Sequence, residues 1–101
     1  ERWGSSSGPL RPAMEDMLGA GAVLTALDPS AAVSAPCGSP EAMAARATFV
    51  AARPRLYDAI AECASGRELV ARGWDDDVAT AASPDVTDVV CRLVANEFRR
   101  L

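Results

Sequence analysis

Four small residues in a row, Gly19-Ala20-Gly21-Ala22, fall in the middle of a stretch patterned as a helix, and they limit what this chain can fold into. Met14, Met17, Leu18, Gly21 and Leu24 share one face of that helix, which Pro12 suits in its first turn and which runs to about Leu27. Two glycines inside a helix cost it about 1 kcal/mol each relative to alanine, so the pattern predicts a neighbour close enough to offset the loss. A sheet or a second helix would serve. Half of the 101 residues are apolar, yet only two Trp, one Tyr and two Phe are aromatic, so any core must be built from small side chains on closely packed elements. The length suits one domain or part of one.

Further helices follow along the chain. Asp28 to Gly38 reads as a loop, and Ser39-Pro40-Glu41 then opens a second helix, with Ser39 as cap and Pro40 in its first turn, running to about Ala52. Alanine and arginine make up its outer part, and Met43, Ala47, Phe49 and Val50 supply its apolar contacts. Pro54 is expected to break or kink the path at Arg53 before a third helix from about Arg55 to Cys63. Ser65 and Glu68 spell a capping box at the start of a fourth helix, which extends through Arg72 and ends at Gly73. Asp75, Asp76 and Asp77 precede a two-turn helix at Val78 to Ala82. Beyond Ser83-Pro84 residue type and spacing disagree. Val86, Val89, Val90 and Val94 are strand formers, with Ala95-Asn96 as a turn into a last strand at Glu97 to Arg100, whereas positions 86, 89, 90, 93 and 94 form a helical face. A terminal hairpin and a capped helix are therefore rival expectations.

The small helix faces call for a large sheet, and no run in the chain supplies one. Glu1-Arg2-Trp3 passes straight into Gly4-Ser5-Ser6-Ser7-Gly8-Pro9, as in a chain entered partway through a loop. The expectation is a piece of a longer protein, or a processed product, whose sheet lies in a missing N-terminal part.

Composition excludes much chemistry. With a formal charge of −4, no lysine and no histidine, the chain lacks the basic stripe of a nucleic-acid surface. Absence of histidine also removes the usual general base and every Ser-His or Cys-His pairing. Cys37, Cys63 and Cys91 are far apart and form no C-x-x-C pair, so they read as buried, reduced cytosolic thiols. No run approaches a membrane span and no signal-peptide pattern stands at the start, which leads to the expectation of a soluble cytoplasmic protein. The capping stretch is the exception to this blandness. Gly66 keeps the first turn open and Arg67 sets a guanidinium beside backbone N–H groups that favour an anion, so the stretch suits a phosphate or sulfonate as well as plain helix initiation.

Taken together, Leu10-Arg11-Pro12-Ala13-Met14-Glu15-Asp16-Met17-Leu18-Gly19-Ala20-Gly21-Ala22, Ser39-Pro40-Glu41-Ala42 and Cys63-Ala64-Ser65-Gly66-Arg67-Glu68-Leu69 resemble, in order and spacing, the C-terminal part of the 2-phosphosulfolactate phosphatases. Arg72-Gly73 and Asp77-Val78 extend the resemblance. Trp74 departs from it, standing where a phenylalanine is usual, as do Ser83-Pro84 in place of an apolar helix end and Cys91 in place of a proline. The resemblance implies a magnesium-dependent phosphatase that converts 2-phosphosulfolactate, or a related phosphorylated acid, to phosphate and sulfolactate, a step toward coenzyme M. It also implies an α/β protein with a three-layer α/β/α fold longer than this chain, of which residues 1–101 would be a single partial domain, the mostly helical C-terminal half.

On that reading Glu15 and Asp16 are the catalytic and magnesium-holding candidates. As helix neighbours they point about 100° apart, so at most one faces a given site. Asp77 is a further metal candidate, and Ser65, Gly66, Arg67 and Arg11 are candidates for substrate binding, Arg67 foremost. Plainer roles compete: helix-dipole partners, an Arg11–Glu15 pair at i,i+4, a solvated acidic helix start at Asp75 to Asp77, and a salt bridge for Arg67. The expected partners are a small phosphorylated acid and either the missing N-terminal half or a second copy of the chain, with neither nucleic acid nor membrane. The alternative is a catalytically inactive helical module for packing or interaction.

Overall fold

The computed structural model describes residues 7–27 and 38–101. The segment through Ser6, the loop expected from Asp28 and Cys37 within it lie outside the described residues.

The first helix, α1 (Met14–Leu27), packs along α2 (Pro40–Ala52). Gly21 is buried at their contact, where an added Cβ would run into the Ala45 carbonyl oxygen and come 2.7 Å from the Phe49 Cβ. The neighbour that the small residues predicted is thus a helix. Gly19 differs, since nothing lies within 4 Å of a Cβ built on it. Gly19→Ala is accordingly expected to raise stability by about 1 kcal/mol, and Gly21→Ala to lower it by about 2 kcal/mol, read as opposite shifts of the urea midpoint. Of the predicted apolar face, Leu18 and Gly21 are buried but Met14 and Met17 are exposed.

In α2 the expected cap forms, Ser39 Oγ accepting from the Ala42 N–H at 3.3 Å, with Pro40 in the first turn. Arg46, read from the sequence as part of the outer face, is 3 % exposed. Arg53 keeps helical angles despite the proline after it, and a 3-10 turn over Arg53–Arg55 carries the chain into α3 (Leu56–Ala61). The restriction before proline is a preference that the tighter turn accommodates, and the departure from helical geometry comes at Arg55 (φ −140°).

The cap of α4 (Ala64–Ala71) corrects the sequence reading. Cys63, not Ser65, has the extended backbone of a cap, and its sulfur accepts from the Gly66 N–H at 3.4 Å. Ser65 lies in the first turn, and Glu68 is drawn to Arg11 instead of reaching back. At the other end Gly73 (φ +76°) donates to Val70 and Trp74 to Leu69, the paired bonds that close a helix through a left-handed residue. Next comes α5 (Asp75–Ala81), whose first turn contains the three aspartates that the sequence placed ahead of it. The core is Leu18 from α1, Phe49 from α2, Leu56 and Ile60 from α3 and Val78 from α5, with Ala22, Ala52, Ala59 and Leu69 packed around them.

The terminal segment is a hairpin of β1 (Cys91–Val94) and β2 (Glu97–Arg100), antiparallel with Leu93 opposite Phe98. Ala95 and Asn96 both have positive φ (47° and 68°), which is the two-residue turn whose twist matches the flanking strands. Branched side chains and this turn outweigh the helical spacing, and the capped-helix alternative is overturned. The described residues are mostly helical with one two-stranded sheet, so the three-layer arrangement is not seen in them. Every residue of both strands is exposed. Among the described residues no helix is long and apolar enough to cross a membrane.

Candidate active site

Two stretches far apart in sequence meet where the start of α1 faces the first turn of α4. Arg11, just ahead of α1, donates from Nη1 to Glu68 Oε1 at 2.7 Å, across 57 residues, and its side chain is 9 % exposed. One turn on, Glu15 reaches Cys63 and Ser65. The Cys63 thiol donates to Glu15 Oε2 at 3.6 Å across 48 residues, and the Ser65 hydroxyl stands beside the pair. Cys63 Sγ and Ser65 Oγ lie 3.3 Å apart. The circuit runs from the Gly66 N–H to sulfur and from the thiol to the carboxylate, with the serine hydroxyl against the sulfur.

Helix geometry explains the selection. Ser65 and Glu68 are three residues apart and share a face of α4, the face turned toward Arg11 and Glu15. Gly66 is buried, because a Cβ there would land on the Ile60 carbonyl oxygen. Arg67 lies on the far side of α4, exposed, in an open depression with Tyr57, Ala61, Glu62, Val70 and Asp75. The structure therefore brings together Arg11, Glu15 and Ser65, seats Gly66 beneath them and sets Arg67 apart. Asp16 is exposed one residue beyond Glu15, and Asp77 is exposed in the first turn of α5.

Partial burial raises the Glu15 pKa, but bonds from its own backbone N–H, Ser65 and Cys63 and the charge of Arg11 outweigh burial and hold the carboxyl below its usual range. It is ionised at neutral pH. A carboxylate held low when folded adds stability above its ordinary pKa, and that contribution is lost as pH falls through the lowered value. Glu15→Gln is therefore expected to flatten the acid limb of the stability curve, at and below the normal carboxylate range, in thermal unfolding measured across pH. An unchanged acid limb would sever the carboxylate from its three donors.

One arginine against Glu15 and Glu68 leaves this cluster with excess negative charge, so a phosphate would enter it only together with a cation. Magnesium is commonly held by one or two carboxylates together with water and substrate phosphate oxygens, and Glu15 offers one such ligand. Among the described residues no three carboxylates or thiols gather into a set that could hold a metal ion by themselves. Beside Glu15 a cavity of about 190 Å³ is walled by Leu18, Phe49, Leu56 and Ile60.

Cys63 is the participant that the sequence reading missed. Its signal was position, the first residue of the block Cys63 to Leu69, but cysteine is not a favoured helix cap and burial accounted for it. No curated protein and no solved structure matches the chain. The family model of the 2-phosphosulpholactate phosphatases matches residues 6–96, a span that includes both stretches meeting at Glu15, and the chain belongs to that family.

Proposed function

We propose that this chain furnishes part of the active site of a magnesium-dependent phosphatase acting on 2-phosphosulfolactate or a closely related phosphorylated acid. The observation that carries the reading is the convergence of Arg11 and Glu15 with Cys63, Ser65 and Glu68 in a chain of this family. Glu15 would hold the magnesium ion, with Asp16 and Asp77 the other candidate carboxylates. When bound, magnesium would neutralise phosphate charge and stabilise the charge that develops on the leaving oxygen. Ser65 and the opening N–H groups of α4 orient phosphate oxygens, since a helix start presents donors without intrahelical partners. Arg11 holds Glu68 and keeps the first turn of α4 registered against α1.

The hairpin bears on partners. Two strands alone are marginal in water, and here Leu93 and Phe98 are 59 % and 77 % exposed. This supports a working protein in which further strands, from an N-terminal half or a second copy, extend the sheet toward a three-layer α/β/α fold, with residues 1–101 as one partial domain. A cytoplasmic setting would keep the free thiols of Cys63 and Cys91 reduced.

The test is phosphate release from 2-phosphosulfolactate with and without magnesium, by this chain and by the chain together with any sequence encoded ahead of Glu1. Glu15→Gln is expected to lower kcat/KM about a hundredfold, roughly 2.7 kcal/mol of transition-state stabilisation. Arg67→Ala should change it less than threefold, because Arg67 faces away from Glu15. A protein that binds neither magnesium nor the phosphorylated acid in either form would instead be a packing or interaction module.

A further inference from the structure

We infer that Cys63 is the positioning residue for Glu15, its thiol holding the carboxylate of α1 over the first turn of α4. The consequence for turnover rests on the phosphatase reading above; the geometry does not. Three contacts fix the sulfur: the Gly66 N–H at 3.4 Å, Glu15 Oε2 at 3.6 Å and Ser65 Oγ at 3.3 Å. A thiol has one proton to donate and lone pairs to accept with, so one atom can end the helix and grip the carboxylate together. The favoured caps serve this double task less well. Aspartate would cap α4 but oppose the ionised Glu15 with a like charge, and serine has a shorter reach than sulfur. Glu15 would otherwise be a long, rotamer-rich side chain near the protein surface, and ordering it before substrate arrives removes that entropy from the binding step.

The obvious variant, Cys63→Ala, removes cap and donor at once, so a second variant separates them. Cys63→Asp keeps a cap but can give no hydrogen bond to the carboxylate, and Cys63→Ser keeps both a cap and a donor, on a shorter reach. In the metal-free protein the direct readout is the nuclear Overhauser contact between the Glu15 γ protons and the Ser65 β protons. It is expected in wild type and Cys63→Ser and absent in Cys63→Ala and Cys63→Asp. In magnesium-dependent turnover, Cys63→Ala and Cys63→Asp should each lower kcat about tenfold with KM within about twofold, while Cys63→Ser stays within about threefold of wild type. On a Glu15→Gln background Cys63→Ala should cost nothing more. A wild-type protein that releases no phosphate would sink the phosphatase reading and leave the proton contact to decide this one. Persistence of that contact in Cys63→Ala or Cys63→Asp, or wild-type turnover in Cys63→Asp, would reduce Cys63 to a helix cap and overturn the inference.

Discussion

Gly66→Ala is expected to destabilise the protein by about 3 kcal/mol, the upper end of what one added methyl group costs in a packed interior. A Cβ at this position would collide with the Ile60 carbonyl oxygen and come 2.8 Å from its carbon and 3.0 Å from the Ala61 Cα. These are backbone atoms at the end of α3, and they cannot rotate aside as the tip of a side chain could. Either α4 lifts from α3 or the core residue Ile60 shifts. The first outcome also moves Cys63 and Ser65 away from Glu15, so on the proposed function lost stability should be accompanied by lost phosphate release. Urea unfolding measures the first effect. A cost below about 1 kcal/mol would mean that α4 does not rest on α3 through this glycine.

Phe49→Ala should cost still more, about 4 kcal/mol. Phe49 is 5 % exposed and is the one aromatic member of the buried cluster. It packs against α1 at Gly21 and walls the cavity beside Glu15. Its partly buried neighbours include Ala22 and Ala52, whose methyl groups cannot swing into the space that a lost ring would leave, so the void stays open. For a domain of this length total stability is on the order of 5–15 kcal/mol, and a core of small side chains favours the lower part of that range. Thermal unfolding should find the variant largely unfolded well below the wild-type midpoint. Phe49→Leu, which keeps most of the volume, should lose about 1.5 kcal/mol. Equal losses for the two variants would show that ring volume is not what holds α1 to α2.

How far the sequence foretold this molecule depends on the range over which each signal acts. Ser39-Pro40 opened α2 and Gly73 closed α4 as expected, and Ala95-Asn96 turned the hairpin that was one of two rival expectations. The capping box at Ser65 failed because its Glu68 had a competitor, Arg11, that lies 57 residues away and is invisible in a local window. The glycines in α1 announced a close approach, but not that Gly21 would meet α2 while Gly19 met nothing. Arg46 looked like a surface arginine and is buried. In the site, the candidates Arg11, Glu15 and Ser65 were legible as residue types in a resembling block, whereas Cys63 was not, since nothing in its neighbours identifies a thiol that bridges to another helix.

By itself the sequence determined where most elements begin and end, because caps, prolines and turn residues act through backbone atoms within about four residues of themselves. It also carried the family resemblance and the absence of histidine chemistry. Only the tertiary structure decided which face of α4 meets α1. That rotation is set by Gly66 resting on the Ile60 carbonyl, which turns Ser65 and Glu68 toward Glu15 and Arg11 and sends Arg67 to the opposite side. Contacts that span 48 and 57 residues exist only once the helices have packed, so no local pattern could have announced them.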